Sequence, residues 1–162
     1  MVSGDPGWTC RVVVSEGRPP MKKILVPFDG SENAIRALRF AMHLCRECGK
    51  PALHLVYAHT EPLLYGEVAV YVPKAKMEEL QRQHGEGVLG AGEEILREAG
   101  VAYTREILVG PLAAVIANRA EELGCDAIVM GTRGMTPIGG LVMGSVAMKV
   151  VHLATVPVTL VK

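Results

Sequence analysis

Gly131-Thr132-Arg133-Gly134 is followed by nine residues, Met135 to Met143, and then by Gly144-Ser145. Glycines so placed let bare backbone amides press against an anion. A helix opening at Gly144-Ser145 would aim unpaired N–H groups and its positive end at the same anion. The segment leaves Asp126 to Met130, an apolar run that reads as a buried strand, and ligands of doubly wound sheets bind beyond the carboxyl ends of strands. Phosphate is the anion this arrangement suits. A helix end contributes about 0.3–1 kcal/mol, up to ~2 when partly buried, against about 8 kcal/mol for micromolar affinity. A base pocket and further phosphate contacts must therefore supply the remainder.

Asp29, in Pro27-Phe28-Asp29-Gly30-Ser31, is the second candidate. A carboxylate just past a first strand could accept hydrogen bonds from ribose hydroxyls or hold a hydrated Mg²⁺; equally, it could only cap the following helix. Other chemistries find little support. No Gly-Lys-Ser or Gly-Lys-Thr occurs, so the residues that serve P-loop hydrolysis are missing. No Gly-x-Ser-x-Gly elbow occurs either. Cys45 and Cys48 form a Cys-x-x-Cys pair at a helix end, without a second pair or a histidine at metal-ligand spacing. His54 and His59 fall on opposite faces of one strand, and His43, His84 and His152 sit in helices without an acidic partner at useful spacing.

The elements that must position these residues follow from alternation of short apolar runs with longer segments of helical period, the pattern of βαβ units and a parallel sheet. Five strands are expected: Lys23 to Pro27, Ala52 to His59, Ala102 to Val109, Ala127 to Met130 and Val158 to Val161. Their apolar character predicts cover on both faces. Four helices lie between them. The first starts near an N-cap at Ser31, carries the stripe Ile35, Leu38, Ala41, Met42 and Cys45, and stops at Gly49. The second spans about Pro73 to Ala99 with a stripe of Met77, Leu80, His84, Val88, Ala91 and Ile95. Gly85, Gly87, Gly90 and Gly92 each cost it about 1 kcal/mol relative to Ala, which predicts local weakness. The third, about Leu112 to Leu123, is bounded by Gly110-Pro111 and Gly124. The fourth opens at Gly144-Ser145. Thr60 to Val72 is a long connection of the kind that often covers a ligand.

At 162 residues the chain has room for one domain, with roughly 70% of its unfolded surface buried. Met1 to Pro20, rich in Gly and Pro, reads as a loosely ordered leader, and the folded domain is expected from Met21 to Lys162. Lys plus Arg and Asp plus Glu both number 17, so no long-range field favours nucleic acid or anionic membrane as a partner. Cys10, Cys45, Cys48 and Cys125 are too few and scattered for a secreted disulfide framework. No apolar stretch approaches the roughly 18 residues of a membrane span, and no signal-peptide pattern opens the chain. A cytoplasmic protein is expected.

The run Val26-Pro27-Phe28-Asp29-Gly30-Ser31, with Gly131, Gly134 and Gly144-Ser145 at their spacing after Asp126-Ala127-Ile128-Val129-Met130, resembles the universal stress protein family in its ATP-binding branch. The resemblance extends over about Met21 to Lys162. It implies a Rossmann-like α/β fold related to the adenine nucleotide alpha hydrolases, with five parallel strands in the order 3-2-1-4-5 flanked by four helices. It also implies bound ATP with Mg²⁺, and a homodimer. Carried over by position, Asp29 meets ribose and metal, with Pro27 and Phe28 beside it, and the backbone around Ala58 meets adenine. Gly131, Gly134, Gly144, Ser145 and Val146 surround phosphates and ribose, and Met130 before them is a further nucleotide-binding position. Arg133 stands where a basic residue is frequent, suited either to the triphosphate or to the surface. Thr132 in place of a more usual serine and Ala58 in place of valine depart from the pattern; neither removes a backbone group.

Val156-Pro157-Val158-Thr159-Leu160-Val161 forms an apolar sheet edge. Val156, Val158 and Leu160 are expected to pair with a second copy, unless the leader covers them. The sequence thus points to a nucleotide-responsive stress regulator with an unidentified protein partner and at most weak ATP hydrolysis. The alternatives are a slow ATPase or phosphotransfer protein, and a ligand-free dimerising module whose glycine loop is only structural.

Overall fold

The computed structural model describes residues 21–47, 50–61, 73–134 and 143–162. The leader, Cys48, Gly49, most of the Thr60 to Val72 connection, and residues 135–142 of the glycine loop lie outside the described residues. Within them, β1 (Lys23–Pro27), α1 (Glu32–Glu47), β2 (Ala52–His59), α2 (Lys74–Glu98), β3 (Tyr103–Val109), α3 (Leu112–Glu122), β4 (Ala127–Gly131), α4 (Ser145–Leu153) and β5 (Val158–Val161) alternate in sequence. The strands form one parallel sheet in the order β3-β2-β1-β4-β5.

Strand alternation divides the core. Ile24, Val26, Leu53, Leu55 and Val129 pack with Phe28 beneath α1 and α2, while Leu25, Val56, Ile128 and Met130 pack beneath α3 and α4. Fully burying one such side chain contributes about 1.5–3 kcal/mol. The central strands β1 and β4 are therefore locked in place, and the site is built at their carboxyl ends. At the opposite end Asp126 Oδ2 accepts the N–H groups of Lys22 and Lys23, at 2.6 and 2.9 Å, fixing where β1 begins beside β4. Among the described residues no helix is long and apolar enough to cross a membrane.

Two expectations are corrected. The buried line of α2 is Gly85, Leu89, Gly92 and Leu96, one residue on from the expected stripe, and Leu80 is exposed. The helix runs unbroken through its glycines, because two of them are contacts. A Cβ on Gly85 would come within 2.8 Å of Tyr57, and one on Gly92 within 2.8 Å of Leu55 and 3.2 Å of Phe28. Only bare backbone brings α2 this close to β2. The second correction is β3, which is not covered on both faces: Thr104, Arg105 and Val109 are exposed on this edge strand. Arg105 there pairs with Glu86 and Glu93 of α2.

Candidate functional site

Between β1 and β4 the sheet order reverses: the chain leaves β1 for β2 on one side and returns from β3 to β4 on the other. The loops after β1 and β4 consequently diverge around a crevice, the usual ligand position in open α/β sheets. A cavity of about 1080 Å³ occupies it. Pro27, Phe28, Asp29, Ala58, Met130, Gly131, Arg133, Gly134, Gly144, Ser145 and Val146 all line its wall. No sequence-predicted site residue lies elsewhere.

Asp29 takes part in the cap considered for it and also lies on the cavity wall. Its Oδ1 accepts the Ser31 N–H at 3.0 Å, while Ser31 Oγ accepts the Ala34 N–H at 3.2 Å, so the pair caps α1 as the short polar side chains predict. Its Oδ2 faces the other loop, and a Cβ on Gly134 would stand 2.5 Å from it. Glycine at position 134 is thus what lets the β1 and β4 loops meet across the carboxylate. Gly131 serves in the same way, because a Cβ there would come within 2.8 Å of Asn33 Cβ in the first turn of α1.

The glycine loop is tied at both ends. Thr132 donates its N–H to Val161 O at 2.8 Å and accepts the Gly144 N–H on its carbonyl at 2.7 Å. That closure sets the start of α4 beside Gly131 and Gly134. The first α4 bond runs from the Met148 N–H to Gly144 O, so the N–H groups of Ser145, Val146 and Ala147 have no acceptor within the helix, and these residues line the cavity. Thr132 Oγ1 is buried without a hydrogen-bond partner among the described residues. Native folds leave few such atoms, and one on a cavity wall fits a site that a polar ligand completes.

Apolar walls face these polar groups: Val56, Ala58, Leu112, Ile116, Met130 and Met143 from one side of the sheet, Val88 and Ala91 of α2 from the other. Tyr57 and His84 meet edge-on at a centroid distance of 5.8 Å, also on the wall. Burial, and after it the Asp29 carboxylate, push the Tyr57 phenol above its ordinary value, so at neutral pH it remains a donor. Gln83, His84 and Gly87 of α2 and Lys149 of α4 were not reached from the sequence. The off-by-one stripe turned His84 inward on paper, whereas it is exposed at the cavity. Lys149 carried one usable signal, its spacing of four from Ser145.

Cys45, Cys125 and the buried His54 lie outside this site. Cys45 donates to Pro51 O at 3.1 Å, and Cys125 is buried with its thiol pushed up chiefly by desolvation. His54 contacts Thr104 Oγ1 at 2.6 Å and Glu106 Oε2 at 3.3 Å, and Glu106 is gripped in turn by Arg119. This cluster joins β2, β3 and α3.

The model of the universal stress protein family matches residues 20–162. Universal stress protein YxiE of Bacillus subtilis is 32% identical over 146 residues, which cover 86% of this chain and 98% of that protein. The universal stress protein UspA of Lactobacillus plantarum has the same fold, with a TM-score of 0.77 at 20% identity over 90% of this chain and 100% of that one. A universal stress protein of Archaeoglobus fulgidus, solved in complex with dAMP, gives a TM-score of 0.58 at 26% identity over 88% of this chain and 98% of that one. With most of its length matched by the family model, and with this sheet order, the chain belongs to the universal stress protein family.

Proposed function

We propose that the cavity binds an adenine nucleotide, ATP in the first instance, and that the protein is a nucleotide-responsive regulator that works as a cytoplasmic homodimer. The observation that carries this reading is the meeting of Asp29 with Gly134 beside the start of α4, within one cavity at the switch point of the sheet. Acceptor and donors are thereby sorted. Asp29 suits ribose hydroxyls, whereas the amides around Gly131, Gly134, Gly144, Ser145 and Val146 suit phosphate oxygens. Pro27, Phe28, Ala58 and Met130 offer an apolar seat for a base, and Thr132 Oγ1 awaits a polar partner. The dAMP complex of the Archaeoglobus fulgidus relative supports an adenine ligand. Mg²⁺ typically takes one or two carboxylates with phosphate oxygens and water. Asp29, a single carboxylate on the cavity wall, fits that role.

A bound nucleotide supplies charge and hydrogen-bonding groups, and regulation needs no turnover. At a concentration a hundredfold above Kd it stabilises the native state by about 2.7 kcal/mol. Gly144→Asp tests the assignment. Its carboxylate would stand beside the phosphate amides, and its Cβ 3.3 Å from Thr132 O. The variant should keep the circular dichroism spectrum of the parent and lose at least about 100-fold in ATP affinity. Unchanged ATP affinity in the folded variant would remove the glycine loop from the site.

A further inference from the structure

Two cations reach the cavity from different elements, Arg133 from the loop after β4 and Lys149 from the second turn of α4. Both are exposed, and neither pairs with a carboxylate among the described residues. Lys149 follows Ser145 by four residues, so the two share a helix face. The Cα–Cβ bonds of a helix tilt toward its N-terminus, which sends the lysine stem back over the turn that opens at Ser145. Lys149 lies one turn beyond Ser145 along α4, so its long stem can carry the ammonium past the first-turn amides. Those amides suffice for a first phosphate, and a single phosphate would leave the lysine little to meet. Further phosphates extend the anion toward it.

We propose that Lys149 is a specificity-determining residue that makes the site prefer nucleoside polyphosphates to monophosphates. The inference rests on the nucleotide reading above and adds the phosphate count that the site selects. Equilibrium affinities for ATP and AMP, measured under one set of conditions for the parent, Lys149→Gln and Lys149→Arg, test it. A charged hydrogen bond of ordinary strength corresponds to about tenfold in affinity. Lys149→Gln should therefore lower the ATP-to-AMP affinity ratio at least about fivefold, and Lys149→Arg should restore most of it. An unchanged ratio, or equal losses for both nucleotides, would overturn the proposal while leaving the nucleotide site in place. A parent chain that binds neither nucleotide would overturn both. Because Lys149 is exposed, the substitution spares the core.

Discussion

At the scale of single residues, the site depends on side chains that are absent. Gly134 gives the Asp29 carboxylate room, and Gly131 gives α1 room against β4. Gly134→Ala should displace Oδ2, lowering ATP affinity about tenfold or more while costing no more than about 1 kcal/mol of stability, the worth of one hydrogen bond. Nucleotide titration beside urea denaturation checks both halves; an ATP affinity equal to the parent's would detach Asp29 from binding. Glycine spacing was legible in the chain because a loop that must approach its neighbours this closely has no room for a Cβ. The contact between Asp29 and Gly134 was not, since it needs β1 and β4 to be neighbours. Tyr57 and His84 were missed for the same reason: only the packing of α2 on β2 brings them to the wall.

At the scale of elements, the five strands were legible almost to the residue, because apolar runs bounded by turn residues have few other uses. The α2 stripe slipped by one residue because its glycines were read as losses of propensity and not as contacts. Gly92 and Gly90 separate these meanings. Gly92→Ala drives a Cβ into Leu55 and Phe28 and should cost about 1–3 kcal/mol. Gly90→Ala meets nothing within 4 Å and should add up to about 1 kcal/mol. Opposite shifts of the urea midpoint are expected, and shifts of the same sign would contradict the contact reading.

The cluster around His54 binds β3 to α3 and carries a pH dependence. Burial holds the imidazole below its ordinary 6.5 despite the pull of Glu106, with Arg119 and Lys23 also lowering it. Glu106 can only accept, so the neutral ring donates from Nε2 and accepts the Thr104 hydroxyl on Nδ1. The unfolded chain takes up a proton near pH 6.5 that the fold admits only at lower pH. The His54 contribution to stability is thus complete above about pH 6.5 and is lost as pH falls through that value toward the folded one. Between about pH 7.5 and 5.5 the parent should lose more stability than His54→Gln. Parallel pH profiles would mean that His54 does not titrate in this way.

At the scale of the whole molecule, the two sheet edges differ. The β3 edge carries polar Thr104 and the charged, ion-paired Arg105, which discourage strand addition, whereas β5 offers Val158, Thr159 and Leu160. Pro157 O accepts from Ile128 of β4 and Val161 O from Thr132 just after it, so strand alternation turns the main-chain groups of Val158 and Leu160 outward. If β5 is the dimer edge, Leu160→Pro removes an outward donor without touching the β4 ladder. Sedimentation should then show a dimeric parent and a monomeric, folded variant; a dimeric variant would place the interface elsewhere. Apolar β5 was legible in the sequence, but the charged β3 edge was hidden by its isoleucine, leucine and valine.

Nucleotide binding is the central claim, and calorimetric titration of the purified chain with ATP, with and without Mg²⁺, tests it most directly. Saturable binding of one ATP per chain, with Kd in roughly the micromolar range, is the predicted result. No saturation up to about millimolar ATP, an affinity worth no more than about 4 kcal/mol, from a chain shown to be folded would contradict it.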